Sequence, residues 1–145
     1  MLRLPPLLKI LIQKGVWPKE GDNPNTQVFH PIVESERVKK ISPDDNRIIL
    51  LPPPFVTITE ERNPFYTEHI NCVGQIFYDK AVCIADFGPG SDSPIILYYQ
   101  NPEEPCVMYL QWKQCMPGVI EQNWVKTHNS FKEFVIDIGL YEDNS

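Results

Sequence analysis

Several groups of residues in this chain have types and spacing that suggest chemistry. Asp86-Phe87-Gly88 has the letters of the metal-binding tripeptide of protein kinases. A kinase also needs a Gly-rich loop, a Val-Ala-Ile-Lys-type strand and a His-Arg-Asp catalytic loop, and the sequence contains none of them. Gly88-Pro89-Gly90 suggests a phosphate cradle, but a dinucleotide fingerprint must open a helix. Here the β-rich run Ile95 to Tyr99 follows, with Pro94 before it. A calcium loop starting at Asp86 would carry Asp or Asn third and Glu twelfth; this chain has Gly88 and Leu97 there. His69-x-x-Cys72 gives one half of a zinc site, with Cys83 or His128 to complete it. Structural zinc sites come as paired short spacings, so scattered core cysteines and a surface histidine are expected instead. Ser, Cys, His and Asp all occur, but without a Gly-x-Ser-x-Gly elbow or a local cysteine signature. The expectation is no catalytic residue, no cofactor and no metal.

Carboxylates are the commoner charged group. The 145 residues hold 19 Asp and Glu against 13 Lys and Arg, a net charge of -6. Direct nucleic-acid binding needs a basic footprint and is excluded as an expectation. An acidic surface serves solubility or pairing with a basic protein. Glu60, Glu61, Glu103 and Glu104 are the candidate partner-binding acids. Tyr98 and Tyr99 must point to opposite faces of a strand, so one belongs to the core and the other is less buried. Tyr99 is the candidate aromatic anchor beside those acids.

The elements that position these residues follow from periodicity. Leu4, Leu7, Leu8, Leu11 and Ile12 line one helical face, with Pro5 and Pro6 in the first turn and Gly15 past the end. A weaker helix is expected from Pro31 to Ile41, then a turn over Ser42 to Asn46 and a short strand from Arg47 to Leu51, ended by Pro52-Pro53-Pro54. Thr59 to Arg62 opens a short helix that Asn63-Pro64 interrupts. Strands are expected over Gln75 to Tyr78, Ala81 to Phe87, Ile95 to Gln100, Cys106 to Trp112 and Trp124 to Thr127, with a hairpin loop at Asn101 to Pro105. Ser130 and Glu133 form a capping box for a last helix, and Gly139 ends it. This order predicts an α+β fold: a single mostly antiparallel sheet, with N-terminal helices and a capped C-terminal helix packed on one side. One domain is expected over residues 1–145, with a helical part to about residue 70 and the sheet and terminal helix over about 75–140.

No run of 18 apolar residues occurs. The opening Met1-Leu2-Arg3-Leu4-Pro5-Pro6 is too polar and proline-rich for a signal peptide. The expectation is a cytoplasmic protein without membrane insertion, with Cys72, Cys83, Cys106 and Cys115 reduced.

Ala85-Asp86-Phe87-Gly88-x-Gly90-Ser91-Asp92-Ser93-Pro94-Ile95, then a hairpin, then Trp124-Val125-Lys126-x-x-x-Ser130-Phe131-x-x-Phe134, resembles the SUKH superfamily. That family takes in a yeast cell-wall (glucan) synthesis regulator and many bacterial immunity proteins. The likeness covers Gln75 to Leu140. The N-terminal half departs from the family's early Leu-Pro-x-x-Tyr-x-x-Phe-Leu stretch, a departure that bears on the partner more than on the fold. The resemblance implies an α+β fold without catalytic residues that binds another protein, most often a secreted toxin, often a nuclease, neutralised inside the cell that makes it. Asp86, Gly88, Gly90, Ser91, Asp92 and Pro94 are then its motif loop, expected to be structural. The alternatives are a regulator or scaffold of cell-wall synthesis without a toxin partner, and a small hydrolase or ligand-binding domain, which would need a deep polar pocket.

Overall fold

The computed structural model describes residues 2–22, 33, 35–43, 45, 47–61, 65–68, 70, 74–87 and 93–142. The first helix, α1 (Pro6–Gln13), starts at Pro5 and buries Leu8 and Leu11. It ends as the sequence predicts. Gly15 takes φ +76°, its N–H reaches the Ile12 carbonyl at 3.1 Å, and the Val16 N–H reaches Leu11 at 3.0 Å. These are the two bonds of a glycine-terminated helix, and a side chain at Gly15 would strain them. Trp17 then turns inward. Its ring is fully buried and its indole N–H donates to the Leu51 carbonyl at 2.8 Å.

Helix α2 spans Ser35–Ile41, followed by strand β1 (Ile49–Leu50) and the single-turn helices α3 (Ile58–Glu61) and α4 (Phe65–Glu68). Four longer elements complete the sheet: β2 (Ala81–Asp86), β3 (Pro94–Asn101), β4 (Glu104–Met116) and β5 (Val119–His128). The five strands lie in chain order and every neighbouring pair is antiparallel. This is the α+β class with one antiparallel sheet that the sequence predicts.

Helix α5 (Phe131–Asp137) is capped as expected. The Glu133 N–H donates to Ser130 Oγ at 3.2 Å. The Glu133 carboxylate reaches back one residue further than a standard box, accepting from the Asn129 N–H at 3.0 Å. At the far end the Gly139 and Leu140 N–H groups close onto Ile136 and Val135.

Two expectations are corrected. The helices do not pack on one side only. Ile95, Leu97 and Tyr99 of β3 face a core built with Leu8, Leu11, Trp17, Phe131 and Phe134, while Ile96 and Tyr98 face a second core with Ile58, Tyr66, Ile70 and Trp124. A strand buried on both faces needs cover on both, which Ile58, Tyr66, Ile70, Ile76 and Tyr78 supply on the second. The expected strand from Gln75 to Tyr78 is also absent. Gly74 turns the chain at φ +100°, the Phe77 N–H donates to the Tyr98 hydroxyl at 3.2 Å in place of a ladder partner, and Tyr78–Lys80 is a 3-10 turn.

The strands β4 and β5 outrun the rest. The ladder between β3 and β4 begins at Ile95 opposite Tyr109, so the distal part of β4 pairs only with β5. From Lys113 to Glu121 this two-stranded ribbon is exposed throughout.

Candidate functional site

The two acid pairs have different fates. Glu60 is occupied by its own helix. Its carboxylate accepts from the Thr57 N–H at 3.3 Å and the Thr57 hydroxyl at 2.9 Å, while the Glu60 N–H donates back to Thr57 Oγ1 at 3.2 Å. This is a capping box for α3, one that places the N-cap at Thr57 rather than at the expected Thr59 opening. Glu61 closes α3, and its side chain lies outside the described residues.

Glu103 and Glu104 are presented instead. Asn101 Oδ1 accepts the Glu103 N–H at 3.0 Å, fixing the tight turn between β3 and β4. Glu104 pairs with Asn101 across the ladder. Both acidic side chains are exposed, and neither forms an ion pair among the described residues. They stand on the rim of a cleft of about 420 Å³ between this turn, the start of α1 and the start of α5. Pro5, Leu7, Pro105 and Phe131 supply its apolar lining, and Arg3 and Lys132 stand on the rim with the acids. The sequence reading missed Arg3 and Lys132, because only the packing of α1 and α5 beside the hairpin brings them there.

Tyr99 is corrected from exposed anchor to core residue. It is 1% exposed, and Tyr98 is buried as well, because both faces of β3 are covered. The Tyr99 hydroxyl donates to the Arg3 carbonyl at 2.7 Å, and burial pushes its pKa up to about 12. It therefore pins the segment that carries Arg3 against the cleft.

The motif loop is tied at its neck. Asp86 ends β2 and Pro94 begins β3, directly opposite each other in register. Beyond them the Phe87 N–H donates to the Ser93 carbonyl at 3.3 Å, and the Phe87 ring packs edge-on to Tyr109 at 5.1 Å. Gly88, Gly90, Ser91 and Asp92 lie outside the described residues.

Of the zinc candidates, the two that lie among the described residues, Cys83 and His128, do not converge. Cys83 packs against the second core, whereas the His128 ring packs on Phe134 of the first. The imidazole of His128 is engaged on both sides, with Thr127 Oγ1 2.8 Å from Nδ1 and Asp137 Oδ2 3.0 Å from Nε2. His69 and Cys72 lie outside the described residues. Among the described residues Cys83, Cys106 and Cys115 form no disulfide. Among the described residues no helix is long and apolar enough to cross a membrane.

The chain matches no protein-family model, no curated protein and no solved structure.

Proposed function

We propose that this chain is a non-enzymatic protein-binding module of the SUKH type, a bacterial immunity protein that masks a basic, secreted toxin of the nuclease kind inside the producing cell. The observation that carries this reading is the pair of unpaired carboxylates, Glu103 and Glu104, held by a fixed turn beside an apolar-lined cleft on a chain of net charge -6. The sequence likeness over Gln75 to Leu140 supports it. The mechanism is masking. Acids on the rim meet lysines and arginines around the toxin's active cleft, and the apolar lining takes a side chain from between them. Preformed complementarity of this kind speeds encounter and makes it sensitive to salt. A specific complex should bury about 1,200–2,000 Å² in total.

Affinity capture from the native cell at low and then high salt tests the reading. One basic toxin domain, retained at low salt and released at high salt, is the expected result. Recovery of envelope-synthesis proteins alone would replace immunity with the regulator reading. Recovery of no specific partner would overturn protein binding.

A further inference from the structure

Three of the six exposed large apolar side chains among the described residues, Met116, Val119 and Ile120, sit together at the tip of the β4–β5 ribbon. Met116 is 61% exposed, Val119 47% and Ile120 58%, and among the described strands the ribbon there is formed by β4 and β5 alone. A lone two-stranded ribbon is marginal in water. An exposed apolar edge strand is normally blunted by charge, proline or a bulge.

One part of the β5 edge is blunted by a device of this chain. The Gln75 side-chain amide takes the Gln122 carbonyl at 3.3 Å and the Trp124 N–H at 2.8 Å. These are the two groups an added strand would use. Backbone groups of alternate residues point to the same edge of a strand. The N–H and carbonyl of Ile120 therefore point outward too, one step beyond the Gln75 clasp and beside the exposed apolar side chains.

Electrostatics and symmetry select the occupant. Lys113 and Glu121 are directly opposite in register, and the ribbon from Lys113 to Glu121 carries no net charge. On a chain of net charge -6, this neutral ribbon lets two copies approach without the repulsion that facing Glu103–Glu104 turns would impose. An edge strand paired antiparallel with its own copy is self-complementary about a two-fold axis. We infer that two copies of this chain associate through the outer edge of β5 at Val119–Glu121, with Ile120 on the axis exchanging both backbone hydrogen bonds with Ile120 of the second copy. Gln75 stops the ladder after that pair, so the assembly closes as a dimer. The contact is small, and the dimer is weak and reversible.

Cys115 provides a reporter. It forms a bulge between the Gln114–Ile120 and Met116–Val119 pairs, close to the proposed axis. In the dimer two Cys115 positions lie roughly three strand spacings apart, about 14 Å. Its thiol donates to Glu121 Oε2 at 2.8 Å, and this bond pushes the thiol pKa up, so labelling belongs at mildly alkaline pH.

Sedimentation velocity over a micromolar-to-millimolar concentration series tests the inference on the full chain. A concentration-dependent monomer–dimer equilibrium is expected. Ile120→Lys should abolish it without changing the melting temperature, because the side chain is exposed. A short bis-maleimide should trap a dimer of the natural sequence but of neither Cys115→Ser nor Ile120→Lys. A monomer at every concentration, or a dimer that Ile120→Lys leaves intact, overturns it. The outcome is independent of whether a toxin partner exists.

Discussion

The two ends of β4 offer opposite surfaces. At its start, Glu104 and the adjoining Glu103 stand with Arg3 and Lys132 on the charged rim of an apolar-lined cleft, fixed by the Asn101 turn and the Tyr99–Arg3 bond. At its end, Met116 and the facing Val119 and Ile120 make an apolar, charge-neutral tip with an open backbone edge. The thirteen residues of β4 run from one to the other, roughly 40 Å of extended chain. In the proposed account one end steers a charged partner in a salt-sensitive contact, and the other makes a contact that salt does not weaken. The inferred dimer through the tip would leave the Glu103–Glu104 turns of both copies exposed.

Substitutions should separate the ends from the core that joins them. The largest effect belongs to the core. Trp17→Ala empties a fully buried site and removes the bond to the Leu51 carbonyl, so it should cost about 3–5 kcal/mol and weaken both surfaces together. Chemical denaturation with binding measured in parallel checks this. Loss of one surface with unchanged stability would show that the two do not share a core.

Gln75→Ala comes next. It strips two backbone groups of β5 of their partner, at about 1–2 kcal/mol, and lengthens the open edge past Ile120. Stability should fall while self-association rises, a pairing of effects that sedimentation and thermal melts read together.

Tyr99 gives a pH test of the acidic end. Its folded pKa of about 12 lies above the ordinary value of 10. The unfolded chain therefore loses this proton first. Stability from this group is complete below about pH 10 and is lost as pH rises toward 12. Tyr99→Phe should remove that alkaline loss and, by freeing the Arg3 carbonyl, cost about 1 kcal/mol near neutrality. Melts from pH 8 to pH 12 compare the two proteins.

The smallest effect on stability belongs to the rim itself. Glu103→Lys with Glu104→Lys should change stability by no more than about 0.5 kcal/mol, because both side chains are exposed and unpaired. Their effect should appear only in binding.

The sequence was readable where local chemistry decides structure. The glycine-ended α1, the boxed start of α5 and the apolar runs of β2 and β3 all follow from spacing of a few residues. It was opaque where long-range packing decides. A run such as Ile95 to Tyr99 reads as a strand, but its letters do not say that both faces are covered, and alternation alone leaves one of Tyr98 and Tyr99 outside the core. The ribbon from Lys113 to Glu121 lacks alternation because both of its faces are wet, so β4 and β5 are longer than their apolar centres predict. Gln75 reads as a strand residue and acts through its side chain on β5, 47 and 49 residues away. Of the candidate site, the Glu103–Glu104 turn was legible. Its neighbours Arg3 and Lys132 were not, since only the fold brings them to the same cleft.

The most direct test of the account is the salt dependence of association between the captured basic partner and two proteins, the natural chain and the Glu103→Lys, Glu104→Lys double variant. The account predicts that the double variant binds at least about tenfold more weakly at low salt, with a shallower dependence on salt and an unchanged melting temperature. Equal affinity and an equal salt slope for the two proteins would contradict it and remove the acidic end of β4 from the binding surface.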